Sequence, residues 1–281
     1  LRSLVGSEMC IRDRAPVMYN LGIIGGALFL VRPLGVYGLA VGVVAGAGMH
    51  LLIQTPGLLR FGARWSPGLG LTNPSLRRVL VLLGPRLIGL GVVQLNMLIV
   101  NRLASQTGEG SVTALALAWR LMQMPETIIA TAIGTAVFPT LSELAAQNHR
   151  AELRATIRQA LIVIAALSAP AALALMVLRK PLATLAFGAH SASLVAAALQ
   201  FYAPGLVGHS TLEVAARAFY AQQDTRTPLI VAICAMALGL CASRLLMRPL
   251  GYGGLALGNA IGFTVEAVAL IWLIERRLRD A

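Results

Sequence analysis

Eight stretches of this chain are apolar enough to be read as membrane-crossing helices: residues 16–31, 36–52, 79–100, 113–138, 159–178, 194–216, 228–247 and 252–274. A helix rises about 1.5 Å per residue, so a hydrocarbon layer of ~30 Å takes about 20 residues. The first two runs are short by that measure. Between lipid tails every backbone N–H and C=O must be satisfied within its own segment, and a helix does this. The expected fold class is therefore an all-α integral membrane protein with about eight transmembrane helices. Composition agrees, with 57% of the 281 residues hydrophobic and 12% charged, against about 25% charged in soluble domains. A water-soluble enzyme and a disordered chain are excluded.

The charge is lopsided: 23 Lys+Arg face 11 Asp+Glu, giving a net +12, and every basic residue except Lys180 is arginine. In a soluble protein this would suggest nucleic acid. Here the arginines lie between apolar runs, so loop anchoring is the simpler cause, and no nucleic-acid partner is expected. The loops after the second, fourth, sixth and eighth runs hold Arg60, Arg64, Arg77 and Arg78, then Arg150, Arg154 and Arg158, then Arg217 and Arg226, then Arg276, Arg277 and Arg279. The alternate loops and span ends hold about half as many, which puts the even loops and the C-terminus in the cytoplasm.

Four segments follow from this pattern. Residues 1–14 are polar and aperiodic and lack the apolar core of a signal peptide; residues 4–14 resemble a translated sequencing adapter, so this leader is expected to be non-native. Residues 15–54 form a helix pair. Residues 55–78, rich in proline, glycine and arginine, read as a cytoplasmic linker and hinge. Residues 79–281 form a six-helix bundle. Glycines recur along the runs, at Gly25-Gly26, Gly42, Gly46 and Gly253-Gly254 among others. Small residues favour close helix approach in lipid, and generic membrane-helix composition accounts for most of them. Cys10, Cys234 and Cys241 have no metal or disulfide spacing.

A charge at the bilayer centre costs roughly 2.5–3.5 kcal/mol, so each polar group inside a run needs a reason. Arg120 lies about eight residues into the fourth run, too deep to snorkel comfortably. It either binds an anion from the wall of a wet cavity, where a guanidinium grips phosphate bidentately, or pairs with Glu126, Glu213 or Glu266. Pro125 just beyond it is expected to kink the helix. Arg86, after Gly84-Pro85, lines the same cavity or snorkels to the cytoplasmic interface. Gln94 and Asn101 share a helix face, either as cavity wall or as inter-helix hydrogen-bonding groups, with Asn96 pointing elsewhere. His209 and Glu213, four apart, stack on one face as a proton relay or a structural hydrogen bond. Glu266 reads as the counter-ion of an arginine. No phosphate-cradling glycine loop with its lysine, His–Glu metal motif or Asp-rich Mg²⁺ loop is present, which favours transport over chemistry. No enzymatic activity and no cofactor are expected.

Three stretches then carry a resemblance. One is Gly84-Pro85 with Gln94-Leu95-Asn96 and Asn101-Arg102-Leu103-Ala104-Ser105. The second is Ala118-Trp119-Arg120-Leu121-Met122-Gln123-Met124-Pro125, running on into Ile133-Gly134-Thr135-Ala136-Val137-Phe138-Pro139-Thr140. The third is Ala218-Phe219-Tyr220-Ala221-Gln222-Gln223-Asp224-Thr225-Arg226-Thr227-Pro228. Together they resemble the MurJ (MviN) family of lipid II flippases, within the multidrug/oligosaccharidyl-lipid/polysaccharide exporter group. The resemblance spans residues 15–281.

It implies a partial bundle corresponding to helices five to twelve of a fourteen-helix fold, in which two six-helix lobes flank a central cavity. The implied activity is translocation of undecaprenyl-pyrophosphate-linked peptidoglycan precursor across the bacterial cytoplasmic membrane by alternating access. The implied partners are lipid II and membrane lipids, and the implied state a monomeric transporter. Arg120 matches the family's cavity arginine that engages the pyrophosphate or headgroup. With Gln123, Arg86, Gln94 and Asn101 it makes up the expected substrate-binding set. Trp119 and Gln123 stand where many relatives carry acids, and Asn101 where some carry Asp, which puts a sodium-coupled or acidic-relay scheme in doubt. The alternatives are a related polysaccharide-lipid flippase, a cation-coupled multidrug antiporter, or a membrane enzyme on polyprenyl phosphates, which would need clustered acids. The stretch 219–228 reads as a cytoplasmic turn in which Asp224 with Thr225 caps the next helix and Pro228 sits in its first turn.

Overall fold

The computed structural model describes residues 15–60, 91 and 93–279, and among these there is no strand. The chain divides into two compact units, Leu1–Arg77 and Arg78–Ala281.

In the first unit, α1 (Ala15–Leu34) and α2 (Val36–Arg60) form an antiparallel hairpin. The helices meet through glycine faces. A Cβ on Gly22 would lie 2.3 Å from the Gly46 Cα, one on Gly26 2.5 Å from the Gly42 Cα, and one on Gly38 2.3 Å from the Leu30 carbonyl oxygen. These glycines are thus fixed by backbone-to-backbone contact, a more specific role than generic composition suggests. In lipid there is no hydrophobic drive between helices, so such close van der Waals approach is what holds the pair. The turn is a single residue, Gly35, at φ +56°, where a side chain would be strained.

The second unit contains a helix over residues 93–104, here α3, followed by α4 (Ser111–Ala146), α5 (Arg150–Val177), α6 (Arg179–Phe187), α7 (Ala189–Tyr202), α8 (Gly205–Ala221), α9 (Arg226–Leu250) and α10 (Tyr252–Arg279). Six described helices, α1, α2, α4, α5, α9 and α10, are long and apolar enough to cross a membrane, and the pair α7 and α8 makes a seventh if counted as one span. They coincide with seven of the eight expected runs. Most of the remaining run, 79–100, lies outside the described residues, as do the leader and most of the 55–78 linker. The sixth expected run is not straight: α7 and α8 meet at 54° at Ala203-Pro204, where proline removes an N–H and ends the ladder. Large apolar side chains stand outward along the spans, among them Phe29, Ile128, Leu173, Ile230 and Leu245. Such a surface suits acyl chains rather than water.

The core runs between α4, α7, α8 and α10. Ala118 and Met122 pack with Val195, Leu199, Tyr202, Leu206 and Leu255. Toward the other end Leu141, Ile157, Phe219, Leu270 and Ile274 form a second cluster. Glycine again sets the closest crossings: a Cβ on Gly208 would fall 2.8 Å from the Thr264 Cα, and one on Gly258 2.4 Å from the Ser243 backbone nitrogen. At the end of the bundle holding the α10 C-terminus, Arg154 donates two hydrogen bonds to Glu275, at 3.2 and 2.6 Å, tying α5 to α10.

The two units contain one hairpin twice over. Arg32-Pro33-Leu34-Gly35 ends α1, and the same tetrapeptide, Arg248-Pro249-Leu250-Gly251, ends α9. Gly35 and Gly251 share φ and ψ to within one degree, at 56°, −136° and 57°, −136°. Their N–H groups donate to Val31 and Met247 at 2.8 and 2.9 Å. Glycines follow at 38, 42 and 46 in one copy and at 254, 258 and 262 in the other. The spacing of four keeps all three on one helix face.

Candidate functional site

Helix α4 has two faces. Ala114, Leu115, Ala118, Leu121, Met122 and Glu126 are buried, in steps of three and four that follow the helical repeat. The opposite face exposes Thr113, Arg120, Gln123, Thr127 and Thr135. A hydroxyl, amide and guanidinium stripe on a membrane-crossing helix requires a polar neighbour or water. Arg120 makes no hydrogen bond or ion pair among the described residues.

Each of its three candidate carboxylate partners is turned elsewhere. The Glu126 Oε1 lies 3.5 Å from Nδ1 of His209. Glu213 accepts from Arg217, whose Nε is at 3.2 Å, and Arg217 also donates to the Thr135 hydroxyl at 3.2 Å. Gly134 makes room for that arginine, since a Cβ there would meet its Nε at 2.9 Å. Glu266 lines a cleft on α10. Two expectations are thereby corrected. His209 faces Glu126 on another helix, because Glu213, one turn on, is taken by Arg217. Glu266 pairs with no arginine among the described residues.

Just past Arg120, the helix passes Pro125 and widens into a π turn over Thr127–Thr131. Proline cannot donate to the preceding turn, and a π turn is one way to accommodate the gap. Glu126 stands at this junction with a side chain only 8% exposed. Around His209 the aromatic rings close in. Trp119 lies edge-on at 5.4 Å and Phe263 at 4.5 Å, while Trp119 also stacks on Phe263 at 5.8 Å and meets Tyr202 at 5.5 Å. Sequence reasoning missed this cluster, whose members come from four helices. The one local signal was Glu126 itself, in register with Leu115 and Met122 on the apolar face.

Of the other expected site residues, Gln123 is exposed one turn from Arg120, Gln94 is exposed on α3, and Asn101 is half-buried. No hydrogen bond links Gln94 or Asn101 to Arg120 among the described residues, and Arg86 lies outside them. Asn96 is the α3 amide that reaches a cleft, one of about 190 Å³ between α3, α9 and α10, shared with Ser243, Asn259 and Glu266. A larger cavity of about 480 Å³ lies where α4 and α8 end and α5 begins, with Ser142, Asn148, Arg150, Gln222 and Arg277 on its wall.

A bundle of long apolar helices with a polar stripe on one of them defines the class as an all-α integral membrane protein. The family model for the lipid II flippase MurJ matches residues 11–280, and the chain belongs to that family. It is 34% identical over 274 residues to the lipid II flippase MurJ of Burkholderia cenocepacia, covering 94% of this chain and 53% of the relative. It is 32% identical over 261 residues to a probable lipid II flippase MurJ of Vibrio cholerae, covering 90% and 50%. The chain thus spans about half the length of the curated relatives it matches.

Among solved structures it resembles a lipid II flippase MurJ in an inward closed conformation, with a TM-score of 0.78 at 21% identity over 93% of this chain and 55% of that one. An inward-facing multidrug resistance MATE family transporter of the MOP superfamily follows with a TM-score of 0.76 at 17% identity, covering 89% and 59%. At these identities both likenesses speak to fold alone.

Proposed function

We propose that this chain serves in moving lipid II, an undecaprenyl-pyrophosphate-linked peptidoglycan precursor, across the bacterial cytoplasmic membrane. The observation that carries the reading is Arg120: an exposed guanidinium on a membrane-crossing helix, continued by Gln123 and Thr127, which pairs with none of its three candidate counter-ions among the described residues. A sugar–peptide headgroup on a pyrophosphate cannot cross hydrocarbon unaided. A hydrated wall carrying a forked cation offers it charge-assisted hydrogen bonds while the polyprenyl tail remains in lipid. Alternating access then needs one part of the bundle to rock against another about the bound headgroup. The π turn after Pro125 and the 54° elbow between α7 and α8 are the places where these helices depart from regular geometry, and they serve as the flexing points. Gln123 contributes an amide beside the guanidinium; Arg86, Gln94 and Asn101 complete the headgroup contacts. The protein works as a monomer, with its C-terminus in the cytoplasm, and carries out no covalent chemistry.

The test is Arg120→Ala in the full-length protein, expressed in a strain depleted of its own flippase. A hydrogen bond to a charged group contributes roughly 1.5–3 kcal/mol, so headgroup affinity should fall about 10- to 150-fold and growth should fail. Arg120→Lys, which keeps the charge but loses the fork, should rescue only in part. Normal growth with alanine at 120 refutes the role given to this arginine.

A further inference from the structure

A buried titratable pair remains that the headgroup reading does not use. His209 is 18% exposed and Glu126 8%, and their Nδ1 and Oε1 atoms approach to 3.5 Å. That approach lacks hydrogen-bond geometry, and among the described residues Nδ1 has no hydrogen-bond partner. Among the same residues Glu126 is also met by the Thr127 hydroxyl at 3.4 Å. An unsatisfied imidazole nitrogen and a carboxylate inside a membrane bundle are costly unless they act. The groups around the imidazole come from four helices. Helix α4 brings Glu126 and the Trp119 ring. Helix α10 brings Phe263 and, one turn on, Glu266, which acts on His209 electrostatically. Helix α7 brings Tyr202, through its contact with Trp119. Helix α8 itself brings Glu213, already held by Arg217. No arginine or lysine side chain is paired with either member of the couple among the described residues.

We infer that His209 and Glu126 form a proton-binding site, in which uptake of one proton by the imidazole closes the 3.5 Å gap into a charge-assisted hydrogen bond and draws the π-turn segment of α4 toward α8. On protonation the Nδ1–H gains a carboxylate acceptor in Glu126, already 3.5 Å away. Glu126 sits on the seam between regular helix and π turn, so a shift there is passed to Arg120 less than two turns away. Proton occupancy thus biases the position of the arginine wall. This rests on the transport reading for its purpose, but the site itself is independent of any substrate.

The experiment uses the full chain in lipid nanodiscs with Trp65 and Trp272 replaced by phenylalanine, leaving Trp119 as the single tryptophan. Imidazolium quenches a touching indole, so Trp119 emission should fall by at least a third in one transition between pH 8 and 5. His209→Phe, which keeps the packing, should abolish the transition, and Glu126→Gln should displace its midpoint by at least half a pH unit. In the same protein freed of native cysteines, Ile128→Cys on the exposed side of the π turn should change its thiol-labelling rate at least threefold, relative to a fixed exposed cysteine, with the same midpoint. A flat emission profile, a transition that survives His209→Phe, or labelling that ignores that midpoint overturns the proposal. Lipid II movement is measured separately in proteoliposomes: an intact titration without movement leaves the proton site standing and sinks the transport reading alone.

Discussion

Asp224 shows how much one side chain can organise. Its Oδ1 accepts from the backbone N–H groups of Arg226 and Thr227 at 3.1 and 3.0 Å, and its Oδ2 accepts from the Thr227 hydroxyl and from Arg277, both at 2.8 Å. It thereby caps α9 and pins the C-terminal turn of α10, as the expectation of a capping aspartate required; Thr225 gives no side-chain cap. Burial pushes its carboxyl up, but the Thr227 and Arg277 hydrogen bonds outweigh this and hold it below the usual carboxylate range. A depressed native value adds stability above the unfolded value of about 3.9, which is lost as pH falls through the native one. Melts of the chain in detergent should therefore lose stability below about pH 4 more steeply than those of Asp224→Asn. At neutral pH Asp224→Ala, which removes the cap, should cost about 1 kcal/mol. Parallel pH slopes for the chain and Asp224→Asn would contradict the assignment. Asp224 was legible because a cap is made within three residues. The His209 environment was not, since Trp119, Glu126, Phe263 and the histidine come together only through packing.

At the scale of elements, glycine decides which helices touch. A Cβ on Gly254 would fall 2.2 Å from the Leu246 carbonyl oxygen, whereas one on Gly48 would meet nothing within 4 Å among the described residues. Gly254→Val should thus force α9 and α10 apart. Overpacking costs typically 1–3 kcal/mol, and a backbone obstacle that cannot swing aside puts this variant at the upper end. Gly48→Val should be neutral within about 0.5 kcal/mol. Size-exclusion profiles and melting temperatures of the two variants separate the cases; equal behaviour would mean the hairpin tolerates spreading. The sequence displayed every one of these glycines without telling contact from composition. It also placed Pro125 and Pro204 in full view. Proline permits a departure from regularity without forcing one, since Pro139 and Pro170 lie inside unbroken helix; the π turn after Pro125 and the 54° elbow at Pro204 depend on what packs alongside.

For the whole molecule, the arginine bias makes an orientation prediction that the packing leaves open. A fluorescent protein fused after Ala281 should mature, as it does in the cytoplasm, and alkaline phosphatase inserted after Gly251 should be active, as it is only outside. The reverse pattern would overturn the topology. The repeated Arg-Pro-Leu-Gly hairpin adds a second regularity at this scale. Two helix pairs of the same design, with glycines at matched steps of four, occur one in each unit. Its signature is present in the residues, yet it is four identical letters and three glycines among many, and the shared φ and ψ of Gly35 and Gly251 make it recognisable.

What the amino-acid order settled by itself was membership of the membrane class, the position of seven spans, the place of Arg120 within one of them and the Asp224 cap. All of these follow from local rules: hydropathy over twenty residues, a period of 3.6, a hydrogen bond made within one turn. Tertiary structure alone decided which carboxylate each cation meets. Glu126, Glu213 and Glu266 are equivalent as letters, and only helix packing gave the first to His209 and the second to Arg217, leaving Arg120 unpaired among the described residues. Pairing between helices depends on distances across the bundle, and no window along the chain contains them.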